Sequence, residues 1–259
     1  MPRRISLALL VVACASAGCL RSATTIDLRP DGSGTILQET AMTAQALEMM
    51  KSFGDPTGKT PTEFFTEEAA RKAAATMGVK FVSGEPYETA DLKGYRARFA
   101  FDDITKVQVN LDSSGSPLTE SEKKDPLFNF SFDRRPASSL LTIQMPQDKP
   151  GGFGLLPGGG GAIASPDKAE AAQAMAMMKM MMKGMFIDVS LNVNGRILKS
   201  NAPYVEGSRV TLMQIDFDKV LADEAALRKL LGASDAKSLQ GVPGLMVVSE
   251  PTVSIEFSR

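Results

Sequence analysis

The chain has 259 residues, 43% of them hydrophobic, and a formal net charge of −1; that is enough for one large domain or two small ones and gives no basic field to draw nucleic acid. It has no His, no Trp and only two Cys, so it lacks the commonest general base and the commonest metal ligand. Zinc, copper and haem sites are therefore not expected, no cofactor is implied, and aromatic platforms for carbohydrate are improbable.

From the N-terminus, Arg3 and Arg4 precede an apolar run over residues 5–12 and then small residues up to Gly18. This is the three-part layout of a secretory signal, and it is too short to span a bilayer as a mature helix. Ser16-Ala17-Gly18-Cys19 resembles the lipobox of bacterial lipoproteins, in which the Cys becomes the first mature residue and carries acyl chains. Val11-Val12-Ala13-Cys14 fits the same letter pattern but leaves a shorter apolar run, and an ordinary leader with unmodified Cys is the plain alternative. Cys19 is the expected lipid anchor. Cleavage before it leaves no internal disulfide and no thiol nucleophile, and several acyl chains on one Cys make a stable membrane anchor. By the same resemblance, Leu20 in place of Asp after the anchor favours the outer membrane of a Gram-negative envelope, facing the periplasm.

Residues 24–30 alternate Ile26 and Leu28 with polar partners, and Asp31-Gly32-Ser33-Gly34 leads into a second run, a hairpin signal. Residues 43–53 carry Ala46, Leu47 and Met50 at helical spacing with Thr43 as a cap. Residues 54–61 form a loop. Residues 66–77 predict a helix with Thr66 as N-cap, acids in its first turn and Gly78 as its stop. Strands follow over 79–83 and 93–101, the latter alternating Tyr95, Ala97, Phe99 and Phe101, with 104–112 extending the same sheet. A polar loop separates these from a hairpin-like pair over 127–133 and 140–145.

Residues 146–166 are rich in Gly and Pro and read as a flexible surface loop. A Met- and Ala-rich helix is expected over 167–185, then a strictly alternating strand over 186–193 and a turn at Asn194-Gly195. Short strands over 196–200, 204–206 and 208–217 precede a helix over 218–231 ended by Gly232. Strands over 246–257, interrupted by Pro251, close the chain. Hairpin order with helices between groups of strands predicts an α+β fold, a mainly antiparallel sheet with three to four helices packed on one face. The expected organisation is a leader at 1–18, an N-terminal part at 19–145, the Gly/Pro-rich loop at 146–166 and a C-terminal part at 167–259.

Two stretches carry a family resemblance: TTIDLRPDGSGTI, after the anchor, and MKGMFIDVSLNVNGRILKSNAPYVEGSRVTLMQIDFDKVL, from Met182 to Leu221. Together they are similar to bacterial lipoproteins of the LppM-like domain family. The resemblance covers about half of the mature chain, rests on structural rather than catalytic motifs, and implies a role in binding lipid or glycolipid.

In the Met-rich helix, Met175, Met178, Met182 and Met185 fall on one face. Met side chains suit adaptable apolar surfaces, so this face is a candidate for lipid or a partner protein; a core-facing helix has the same pattern. Asp102-Asp103 near Lys106, and Asp216 with Asp218, are the acid pairs, read as caps or surface charge. Gly158 to Gly161 lacks the Gly-Lys-Ser/Thr of a phosphate loop. The expectation is a non-catalytic, membrane-anchored module that binds lipid or an envelope protein. A structural role in an envelope assembly and a carboxylate-dependent hydrolase are the alternatives.

Overall fold

The alternation around Asp31-Gly32 produces the first hairpin, β1 (Leu20–Leu28) and β2 (Gly34–Thr43), paired from Leu20↔Met42 to Leu28↔Gly34. Its turn closes on Arg29 N–H donating to the Ser33 carbonyl (2.8 Å), with Gly32 at φ 83°. The computed structural model describes residues 20–44, 46–48, 66–110, 127–145, 173, 175, 176, 179, 182–233 and 236–259. The Gly/Pro-rich loop at 146–166 lies outside the described residues, as does the loop at 54–61.

Helix α1 (Glu67–Met77) forms where its end signals place it. The Thr66 hydroxyl accepts from Ala69 N–H (3.2 Å), and Gly78 takes the left-handed conformation at φ 69° and donates its N–H to carbonyls of the last turn. That conformation costs other L-residues roughly 1–2 kcal/mol, so the helix stops here. Ala70, Ala74 and Met77 are its buried stripe. Strands β3 (Lys80–Glu88) and β4 (Leu92–Phe101) follow, with Tyr95, Ala97, Phe99 and Phe101 buried.

The chain then leaves the first sheet. A single 3-10 turn at Ile104–Lys106 leads to β5 (Val109–Asn110), β6 (Leu127–Arg134) and β7 (Ser138–Gln144) of a second sheet. Strand β8 (Phe186–Val193) returns to the first, β9 (Ile197–Ser200) joins the second, and β10 (Val205–Glu206) and β11 (Arg209–Asp216) return again. Helices α2 (Phe217–Ala222) and α3 (Glu224–Leu231) follow, capped by Asp216 and Asp223. Strand β12 (Leu245–Val247) pairs with β11, and β13 (Thr252–Ser258) sits between β7 and β9.

The expected α+β architecture is therefore overturned. Strands dominate and lie in two sheets: β10-β11-β8-β1-β2-β4-β3, with β12 also on β11, and β5-β6-β7-β13-β9. The larger sheet is mixed, because β1 and β8 run parallel in register from Arg21↔Phe186 to Leu28↔Val193. Of the stretch 104–112 expected to extend the first sheet, residues 104–110 are described and turn away from it, and the expected helix over 218–231 breaks at Asp223. Alternation reveals a strand and its buried face, but not which sheet a strand joins when its partner is distant in sequence. One hydrophobic core joins both sheets, from Ile26, Ile36 and Phe99 to Leu141, Val253 and Phe257. The β1–β2 turn is tied to the second sheet by the Ser139 hydroxyl, which donates to the Pro30 carbonyl (2.7 Å).

Candidate functional site at the start of the central strand

Cross-strand partners share a face of a sheet. The register thus places Ser22 of β1, Thr40 of β2 and Tyr95 of β4 in one row on the core side, and Thr24, Gln38 and Ala97 in the next. Farther along β1 the rows become Ile26, Ile36 and Phe99. Across the parallel pairing the polar rows continue as Ile187 and Val189. The inner wall is hydroxyl-bearing on β1, β2 and β4 near the start of β1, and apolar beside and beyond that patch.

Ser22 is 1% exposed, and its hydroxyl has no hydrogen-bond partner among the described residues. Thr24 is also buried. A buried unsatisfied hydroxyl costs about 1–3 kcal/mol, and native interiors supply a partner for almost all such groups. Tyr95 lies against Gly84 of β3, where any Cβ would collide with its ring. Burial pushes the Tyr95 phenol up from its ordinary value; Glu67 adds to the rise and Arg71 opposes it. Both of these residues lie on α1, which packs on β3 and β4.

The opposite face of the sheet is cross-linked by charge. Arg209 Nη2 meets Asp188 Oδ2 at 2.8 Å, and the Ser190 hydroxyl donates to the same oxygen at 3.1 Å. Asn192 Nδ2 donates to Asp27 Oδ1 at 2.9 Å, and Arg96 bridges Glu39 and Glu85. Asp188 is 5% exposed, so its carboxylate is matched by a permanently charged guanidinium. These groups join β11 to β8, β8 to β1, and β4 to its neighbours, and each is taken up by that cross-linking.

Of the predicted site residues, Cys19 and Met178 lie outside the described residues. Met182 is 1% exposed and belongs to the main core, while Met175 and Met185 are half-buried against it. The described part of the Met face thus packs inward, because the last turn is fastened to α2: Phe217 N–H donates to the Met185 carbonyl (3.1 Å) and Gly184 N–H to Asp218 Oδ1 (2.7 Å). The acid pairs do not converge. Asp102 pairs with Lys80 (2.7 Å), and Asp103 accepts from the Thr105 hydroxyl and amide, which hold its carboxyl below the usual range. Asp216 caps α2. Among the described residues, no group of three or more His, Cys, Asp or Glu could hold a metal, and no helix is long and apolar enough to cross a membrane. The Ser22–Thr40–Tyr95 row was not visible in the sequence, since it exists only once three strands are in register.

No protein-family model and no curated protein matches this chain. Among solved structures, it is similar to the folded domain of the Mycobacterium tuberculosis LppM protein, determined by NMR. The similarity spans 99% of this chain and 95% of that one, at 12% identity and a TM-score of 0.36. It is a distant likeness of fold.

Proposed function

We propose that this chain is a lipid-anchored, non-catalytic binding module of the cell envelope, held to its membrane through Cys19, and that its ligand is a lipid bound at the inner hydroxyl row. In a Gram-negative cell the membrane is the outer one and the domain faces the periplasm. The observation that carries the proposal is the buried, unpartnered Ser22 hydroxyl beside Thr24 and Thr40, in the row that ends at Tyr95, next to the apolar side chains of Ile187 and Val189. Hydroxyls beside apolar side chains suit an amphiphile, whose polar group accepts hydrogen bonds; its hydrocarbon would reach Ile187 and Val189, which are buried in the main core, only as the packing over them opens.

The test is lipid co-purification and displacement of a fluorescent fatty acid, comparing the parent with Ser22→Ala and Thr24→Val. One hydrogen bond of about 1–1.5 kcal/mol corresponds to roughly a tenfold loss of affinity for each variant. Ser22→Ala should keep or raise the melting temperature, because no partner is orphaned. Unchanged affinity in both variants, or a parent that takes up no lipid, would refute the proposal.

A further inference from the structure

We infer that the end of the large sheet at which β1 begins lies against the phospholipid headgroup layer, so that the strands rise away from the membrane; this rests on Cys19 being the anchor, as proposed above. Leu20, the residue after Cys19, is already the first residue of β1 and is paired with Met42. Consecutive Cα atoms are about 3.8 Å apart, so no linker lets the domain tumble away from its anchor. The start of the strand is also held by packing. Leu20 lies against Met42, Ala46 and Leu47, a small apolar cluster separate from the main core.

The groups at this end suit a headgroup layer. Arg21 is exposed, with its guanidinium 5.1 Å from the centre of the Phe186 ring on the neighbouring strand. Lys183, exposed just before β8, and Arg21 have no acidic partner among the described residues. Both can meet phosphate while their stems cover apolar surface. Two further cations among the described residues here are paired: Lys93 with Glu88 (3.0 Å) and Lys219 with Asp216 (3.0 Å). Among the described acids, Asp91 at the β3–β4 turn and Asp218 face such a layer; Asp91 lies at β4, two strands from β1, and the Asp218 carboxylate is engaged by Gly184 N–H (2.7 Å) beside Lys183. The interfacial layer of a bilayer is roughly 5–8 Å deep on each side. It therefore reaches the ends of the neighbouring strands, but not the β10–β11 turn at Gly207, which lies about 20 Å up the strands at 3.3 Å per residue.

The mature chain, cleaved at Cys19, keeps no thiol besides the anchor itself. Single cysteines introduced as Lys93→Cys and Ser208→Cys can therefore each carry a fluorophore. The full-length chain would be lipidated in cells and reconstituted into phosphatidylethanolamine and phosphatidylglycerol vesicles containing headgroup spin-labelled lipid. Quenching several-fold stronger at position 93 than at 208 is the expected result. Chain that floats with the vesicles but is quenched equally at both positions, or more at 208, overturns the orientation and leaves the anchor standing. Chain that does not float overturns the anchor and the orientation with it.

Discussion

Replacing Met182 by Ala tests whether the Met-rich segment is core. Met182 is 1% exposed within the core shared by both sheets, and its carbonyl accepts from Met185 N–H at the point where the segment is fastened to α2. Truncating a buried Met costs about 2–5 kcal/mol, with the central part of that range expected here. For a chain of this size 1 kcal/mol moves the melting temperature by roughly 2–4 °C, so a loss of about 3 kcal/mol lowers it by about 6–12 °C. Met175, half-buried against the same core, should show less than half that effect when truncated. Thermal unfolding followed by circular dichroism on a Cys19→Ala form, which avoids detergent, measures both. A Met182→Ala protein melting within a degree or two of its parent would refute the packing and return this face to the role of an exposed binding surface.

Arg209→Leu strands the Asp188 carboxylate, whose side chain is 6% exposed against 40% for that of Arg209. It should cost about 3 kcal/mol, at the low end for a broken buried pair, whereas Asp188→Asn keeps an acceptor and should cost about 1 kcal/mol; equal urea midpoints would contradict this asymmetry. The Ser138 hydroxyl, followed by the charge of Arg135, holds the Glu256 carboxyl below its ordinary value of 4.5. Its contribution is present above that pH and is lost as pH falls through the lowered value. The stability gap between the parent and Ser138→Ala should therefore be widest above about pH 4.5 and close below it, as urea midpoints across pH will show.

Local signals in the sequence proved sound. Thr66, the acids after it and Gly78 define α1 because each end of a helix needs groups that neighbours in sequence can supply. The β1–β2 turn and the alternation of Tyr95 to Phe101 were legible for the same reason. What the residues did not reveal was non-local. Strand β8 looks like any alternating strand, yet Asp188 and Ser190 on its polar side are buried, and its partner β1 is parallel and lies far upstream. The Met stripe was ambiguous because a helix seated on a core and one seated on a membrane need the same apolar face. The hydroxyl row was hidden for a related reason: Ser22, Thr40 and Tyr95 are ordinary strand residues until register brings them together.

The parallel pairing of β1 with β8 also sets an order of events in folding. The hydroxyls of Thr25 and Ser190, neighbours across that pairing, are 165 positions apart along the chain. Synthesis proceeds from the N-terminus, so β1, β2, β4 and β3 can assemble as a local unit long before β8 is made. During that interval β1 presents a complete row of unpaired N–H and C=O groups, the kind of edge that recruits any available strand, including the same edge of another copy. Closing so long a loop is slow. The first strand to be made thus keeps its second side open until β8 has been added.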